Sequence, residues 1–302
     1  MTMRAWQYAS TTPSGIEQHM HLTTTLPAPD PSALTKDIIL IETLYAGLNP
    51  ADFKTAELPL IKYSLGLPVT PGFDFCGRVK SRDIVFGGLG HPKQLGTLSE
   101  SFIAPLSKTE AAGISAAGTA AYKALAPYVK AGDKVFVNGG SGGVGIFAIQ
   151  IARVLGAEVT VTCSTRNVEF CRGLGAQRVI DYTQGDLVEL LVRNGVMFDH
   201  VVDNVGADAR LYQRAELFTA PGARIAQVGI QGRGEGGWRR HVLVLGWVER
   251  EELERLGGWV SEGRVRVCVD EVFGFEGAVA AFTRLRTGRA RGRIVVKVGD
   301  SI

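Results

Sequence analysis

Cysteine is scarce and scattered: Cys76, Cys163, Cys171 and Cys268 are the four in 302 residues, and no two of them form a CxxC pair. That spacing indicates neither a zinc knuckle nor a disulfide framework, so all four are expected to be reduced and packed in or near a core. A long apolar run is also missing, since no stretch approaches the roughly 20 residues that a bilayer span requires. The first residues, Met1-Thr2-Met3-Arg4-Ala5-Trp6, lack the positive cluster and apolar segment of a secretory signal. A soluble, cytoplasmic protein is the expectation. Charge of one sign is absent too: 33 Lys and Arg stand against 30 Asp and Glu, for a formal net charge of +3. Bulk electrostatics gives no reason to expect nucleic acid or a membrane surface as the main partner.

What the chain does have is a hydrophobic share of 45%, enough to fill the cores of one large or two ordinary domains, and 38 glycines. The first hundred residues carry short strand-like runs such as 38–41 and 83–86, separated by proline and glycine turns. This pattern predicts a β-rich module. From about Ala116 the rhythm becomes strand, glycine turn, helix. Strands are predicted at 134–137, 158–162, 178–180, 200–203 and 224–228, with helices at 145–155 and 167–174. The strands are short and apolar, as strands covered on both faces are, so the class is α/β with a doubly wound parallel sheet. The last fifty residues predict helices at 250–262 and 275–286 and a strand at 293–298, returning to the first module.

The most informative stretch follows the strand that ends at Asn138. Gly139-Gly140-Ser141-Gly142-Gly143-Val144-Gly145 places GxGxxG at 140, 142 and 145, directly before a helix of good amphipathic period. Glycines there allow a tight turn, let the backbone approach a pyrophosphate, and let the helix pack on the strand; the helix amino end supplies free amides and a positive dipole. The alternative is a glycine-rich structural loop. With a strand before, a helix after and a second βα unit behind, a dinucleotide site is the reading, with Gly140, Gly142, Gly143, Val144 and Gly145 as its contacts. About 20 residues on, an NAD site would carry an acid for the ribose hydroxyls. Here the run is Thr162-Cys163-Ser164-Thr165-Arg166, without a carboxylate. A hydroxyl followed by a guanidinium suits a 2′-phosphate, which favours NADPH, with Ser164 and Arg166 as the discriminating pair. The competing reading makes Ser164 a helix cap and Arg166 a solvated surface residue.

Beyond this motif, several segments together resemble the medium-chain dehydrogenase/reductase superfamily, in its zinc-free, quinone oxidoreductase-like branch. They are Ala46-Gly47-Leu48-Asn49-Pro50-Ala51-Asp52-Phe53-Lys54, Pro71-Gly72-Phe73-Asp74-Phe75-Cys76-Gly77 and Gly118-Thr119-Ala120-Ala121-Tyr122, with Asn138 to Gly145, Leu174-Gly175-Ala176 leading to Asp181-Tyr182, and Arg289 to Val295. The resemblance implies a GroES-like substrate domain over 1–117 and 247–302, a Rossmann NADPH-binding domain over 118–246, and an active-site cleft where they meet. Zinc-dependent members of the superfamily carry a cysteine where Asn49 stands, and a histidine and a glutamate where Phe73 and Asp74 stand. Phenylalanine cannot coordinate a metal and asparagine is a poor zinc ligand, so no metal is expected. Hydride delivery to an enone or a quinone does not require one, because conjugation carries the charge to an oxygen that needs only hydrogen-bond donors and a proton.

The resemblance also implies roles. Asn49 would hydrogen-bond near the nicotinamide ribose and Thr119 would sit beside the ring, while Lys54 would stabilise a developing enolate or donate its proton. Solvation is the alternative for Lys54, and Tyr45 and Tyr63 are weaker candidates for the acid. Tyr182 would add to the 2′-phosphate site. Val205, Val228 and Gly229 would pass close to the cofactor through backbone groups. Arg293 would contact it or be a surface charge among Arg284, Arg286, Arg289 and Arg291. The apolar run 241–246 resembles an edge strand that pairs across a two-fold axis, so a homodimer is expected. Connections near 80–83, 106–110 and 231–240 are shorter than in relatives. Two rival functions stand beside the quinone or enone reductase: a trans-acting enoyl reductase on carrier-bound acyl or polyketide intermediates, and a non-catalytic NADPH-binding protein of structural or RNA-associated type.

Overall fold

A computed structural model describes the chain except for residues 11–14, 31–33, 35–37, 58–65, 80–83, 90–94, 106–114, 230–240, 245–248 and 300–302. Tyr63 and the three short connections lie outside the described residues, as do 245–246 of the expected edge strand. The strands, in chain order, are β1 Thr2–Tyr8, β2 Met20–Pro27, β3 Ile38–Leu48, β4 Asp74–Arg78, β5 Ile84–Gly88 and β6 Ser101–Pro105. There follow β7 Lys134–Asn138, β8 Glu158–Cys163, β9 Arg178–Asp181, β10 Phe198–Asp203, β11 Thr219–Val228 and β12 His241–Val244, then β13 Val269–Gly274 and β14 Arg293–Lys297.

The chain divides into two compact units, one of Met1–Ala116, Trp247–Gly258 and Val269–Ile302, the other of Ala117–Gly246 and Trp259–Cys268. In the first unit, strands run in the order β13-β14-β3-β4-β5 with β6 also on β3, and β1 pairs with β2. The closing strand β14 pairs antiparallel with β3, setting Val295 against Gly47 and Ile294 against Leu48. Its core gathers Trp6, Leu48, Phe53, Phe282 and Val296, and the Trp6 indole N–H donates to the Phe275 carbonyl at 2.7 Å. Arg286 and Arg284, expected in a solvated basic cluster, are in ion pairs instead. Arg286 meets Glu57 at 2.6 Å over the Phe53 ring, and Arg284 meets Asp270 at 2.6 Å.

The second unit is a parallel sheet ordered β12-β11-β10-β7-β8-β9, the doubly wound order in which the strand sequence reverses between β7 and β10. Its strands are built from Val, Ile, Phe and Thr buried on both faces, the composition of a sheet covered by helices. The helix Gly145–Val154 is buried from Gly145 through Ala152. The one polar member of that stretch is Gln150. Its amide is satisfied by the Ile146 and Arg266 carbonyls, while its oxygen accepts from Arg266 N at 2.9 Å. These bonds, together with Arg266 to the Gly173 carbonyl and Trp259 beside Tyr122, draw Trp259–Cys268 into this unit. The assignment of all of 247–302 to the terminal module is corrected to that extent. Among the described residues, no helix is long and apolar enough to cross a membrane. All four cysteines are free, with Cys163 and Cys171 buried.

At the amino end of β10, buried His200 donates its Nε2 proton to the Ala124 carbonyl at 2.7 Å and stacks on Tyr128. Burial pushes its pKa down from 6.5 to about 4. The unfolded chain takes up this proton first, so the stability is fully present above pH 6.5 and is lost as pH falls through about 4. Between about pH 7 and about pH 5 the expected loss is about 2 kcal/mol. Unfolding free energies from urea denaturation of the wild type and His200→Gln at the two pH values should diverge by that amount. Parallel profiles would remove His200 as the cause.

Candidate active site

The glycine turn leaves β7 at Asn138. Gly139 takes φ +80°, a left-handed conformation that only glycine adopts freely, so the turn's bend belongs to Gly139 and not to Gly140 as the motif implies. Its N–H donates to the Thr162 hydroxyl at 2.9 Å, and Gly140 N–H donates to the Thr162 carbonyl at 2.8 Å. Gly140 is needed for another reason: a Cβ there would lie 2.9 Å from the Val161 side chain. At Gly145, where the helix begins, a Cβ would lie 2.1 Å from the Gly139 carbonyl oxygen. At Gly142 it would meet nothing closer than 3.6 Å. The fold therefore dictates Gly139, Gly140 and Gly145 and leaves the space at Gly142 open, as a cradle for an approaching pyrophosphate requires. Gly143 and Val144, half-buried, complete the turn, and no side chain caps the helix's first residue.

A second rim lies at the end of β8. Half-buried Ser164 makes no capping hydrogen bond to the short turn Thr165–Asn167, and Arg166 is exposed. Tyr182, 51% exposed, stands on the next turn, after β9. Two bonds tie the turns together: the Thr165 hydroxyl donates to Asp181 Oδ2 at 2.5 Å and lies 3.0 Å from the Thr183 hydroxyl. The run Thr162 to Arg166 holds no acid, but the fold brings Asp181 beside it from the neighbouring strand. Its carboxylate is occupied by Thr165, by the Thr183 hydroxyl at 2.7 Å and by Thr183 N–H at 3.0 Å. These donors, the Thr165 hydroxyl first, hold it below the usual carboxylate range. Asn167, which the sequence did not single out, is buried between the two rims and donates to Ser141 Oγ at 3.0 Å and to Ser164 Oγ at 3.3 Å.

A third element is the loop after β10. Asp203, buried, accepts from Asn138 Nδ2, from Val205 N–H and Gly206 N–H, and from the Tyr212 hydroxyl. Asn138 in turn accepts from the Thr162 hydroxyl at 2.7 Å. One polar chain thus fixes the glycine turn, the end of β8 and the Val205 loop. Val228 and Gly229 sit at the end of β11, where Gly229 N–H donates to the Val244 carbonyl. All these groups lie at the carboxyl ends of parallel strands, where open α/β sheets bind ligands. Thr119 is fully buried on the helix Ser115–Leu125.

The first unit holds a separate constellation. Asn49 lies between β3 and the helix Pro50–Glu57; its Nδ2 donates to Asp74 Oδ2 at 2.6 Å. Arg293 is no surface charge. It is buried, donating to Asn49 Oδ1 at 2.8 Å and to Asp74 Oδ2 at 2.8 Å. Gly47 makes the room, since a Cβ on it would lie 3.2 Å from the Arg293 guanidinium. Asp52, also unforeseen, is buried beside them and accepts from Asn49 N–H at 2.6 Å. Burial, seconded by the negative charge of Asp74, pushes its carboxyl well above the usual range. Lys54 is exposed on the same helix.

Zinc does not fit this arrangement. Phe73 offers no donor atom, Asn49 already accepts from a guanidinium, and Asp74, the nearby anion, is paired with that same cation. Among the described residues no group of three or more His, Cys, Asp or Glu could hold a metal ion.

Comparison with known proteins accords with this geometry. The family model of zinc-binding dehydrogenases matches residues 174–296. The chain is 40% identical over 348 positions to a trans-enoyl reductase of Aspergillus terreus, pgmF, covering 99% of this chain and 97% of that protein. It is 32% identical to the 2-methylene-furan-3-one reductase of Solanum lycopersicum, covering 97% of this chain and 79% of the relative. The solved quinone oxidoreductase of Coxiella burnetii superposes with a TM-score of 0.87 at 30% identity, over 99% of this chain and 100% of that one. The chain belongs to the medium-chain dehydrogenase/reductase superfamily, with its GroES-like and Rossmann folds. It is an oxidoreductase of the kind that works with a nicotinamide cofactor. The alignment to pgmF is longer than the 302 residues here, so that relative carries residues this chain lacks.

Proposed function

We propose that the chain is an NADPH-dependent reductase of quinones or of carbon–carbon double bonds conjugated to a carbonyl, working without a metal. The observation that carries the reading is the closed set Asn49, Asp74 and Arg293, in which a buried guanidinium takes up the donor atoms a dication would need. Without a Lewis acid, the reducible group must spread its developing charge itself, and conjugation does so. Bound NADPH supplies the hydride. The chain's part is to seat the pyrophosphate over Gly142 and the helix amino end, and to meet the 2′-phosphate with Ser164, Arg166 and Tyr182. Asn49 and Thr119 carry over from the resemblance as nicotinamide-side contacts, and exposed Lys54 as a group able to return a proton.

Arg166→Ala tests the cofactor. A charge-assisted bond to phosphate contributes about 1.5–3 kcal/mol, so the Michaelis constant for NADPH should rise roughly tenfold to a hundredfold while that for NADH stays put. An equal rise for both would sink the assignment.

A second reading is favoured by the 40% identity to pgmF across nearly the whole chain: the conjugated acceptor is an enoyl thioester delivered by a carrier. Rates with free enones against enoyl thioesters separate the two readings. We also propose a homodimer through β12. Among the described residues it is the edge of its sheet, and pairing with a second copy would continue the sheet. Sedimentation as a monomer at micromolar concentration would contradict this.

A further inference from the structure

We infer that Asn167 is a positioning residue that sets the preference for NADPH by turning the hydroxyls of Ser141 and Ser164 into donors. The inference rests on the NADPH reading above and deepens it. Asn167 is 5% exposed and lies between the glycine turn and the end of β8. Its amide N–H groups point to Ser141 Oγ at 3.0 Å and Ser164 Oγ at 3.3 Å. Its Oδ1 is buried with no partner among the described residues, so the polar contacts of this side chain go to the two serines.

A hydroxyl has one proton to give and lone pairs to receive. When Nδ2 of Asn167 occupies a lone pair on each serine, each serine's own proton is left to be given elsewhere. A phosphate is acceptor-only, so two hydroxyls held in this state match it, whereas a ribose 2′-hydroxyl is served as well by an acceptor. Ser141 lies in the turn common to both dinucleotides, and Ser164 lies on the rim with Arg166. Loss of the bridge should therefore weaken both cofactors slightly and NADPH far more. An aspartate at 167 would draw both hydroxyl protons to itself and add a negative charge beside the 2′-phosphate.

The test is fluorescence titration of the full chain with NADPH and with NADH, together with thermal melts, for the wild type, Asn167→Asp and Asn167→Ser. The expected result for Asn167→Asp is a loss of NADPH affinity of roughly a hundredfold, with NADH changed by less than about threefold. Asn167→Ser should lose roughly tenfold for NADPH and less than about threefold for NADH, and it decides the matter if the aspartate variant does not fold. A merely structural role would lower both affinities together and leave their ratio unmoved, and that outcome overturns the inference while the NADPH reading stands. A wild type that binds NADH as tightly as NADPH overturns both.

Discussion

Gly145→Ala is expected to break the turn of the proposed cofactor site, whereas Gly142→Ala is expected to leave the fold intact and to weaken cofactor binding alone. The two glycines occupy the same motif, but their surroundings differ. A Cβ at 145 would lie 2.1 Å from the Gly139 carbonyl oxygen and 2.7 Å from the Gly140 carbonyl carbon, both backbone atoms that no rotamer change can move. Relief requires shifting the start of the buried helix Gly145–Val154 off the turn, against the bonds that hold Gly139 and Gly140 to Thr162. Overpacking of this kind costs about 3 kcal/mol or more, which in a chain of this size lowers the melting temperature by roughly 6–12 °C. At 142 the nearest atom to a new Cβ is 3.6 Å away, an ordinary contact. On the cofactor placement proposed above, the methyl group would instead occupy the space reserved for the pyrophosphate. Thermal melts should therefore show Gly142→Ala within about 0.5 kcal/mol of the wild type, with NADPH affinity reduced at least about tenfold. Equal melting of both variants would refute the assignment of separate roles, and undiminished binding by Gly142→Ala would remove the cradle.

Arg293→Leu should be the most destabilising single change in the first unit. Arg293 and Asp74 have side chains 6% and 3% exposed, and their ion pair is 2.8 Å long. Removing the guanidinium strands a buried carboxylate next to a second buried acid, Asp52, and takes from Asn49 the donor that holds its Oδ1. Breaking one side of such a pair costs about 3–5 kcal/mol, a large part of the 5–15 kcal/mol by which domains are typically stable. Asp74→Leu should cost a similar amount by leaving the arginine unpaired. The double variant should recover most of the loss, because an apolar replacement of both partners leaves no uncompensated charge. Urea denaturation of the three variants measures the coupling, and single variants within about 0.5 kcal/mol of the wild type would show that the pair does not hold this region.

The contrast between these two regions explains what could be read from the sequence. The strand, glycine turn and helix at 134–154 are a local pattern, and glycine spacing reports directly on backbone geometry. Even there, the left-handed residue is Gly139, one position before the motif, because the turn's direction depends on where β7 ends. Arg293 and Asp74 are 219 positions apart, and no spacing rule announces that β14 will lie against β3 beside a glycine that leaves room for them. In sequence Asp181 stands out only as the residue before Tyr182, for a related reason. It lies on β9, and only the parallel pairing of β8 with β9 carries it to Thr165. Asn167 reads in sequence as one more polar residue at a helix start; what distinguishes it is burial between two serines drawn from separate turns. The segment Trp259–Cys268 reads in sequence as part of the terminal module because its ties, Gln150 to Arg266 above all, reach back across more than a hundred residues.

The most direct test of the account is stopped-flow oxidation of NADPH bound to the full chain, with quinones, free enones and enoyl thioesters as acceptors, in the presence and absence of a metal chelator. The account predicts fast oxidation by at least one conjugated acceptor at a rate the chelator does not change. No oxidation by any of them, or a rate abolished by the chelator and restored by zinc, would contradict it.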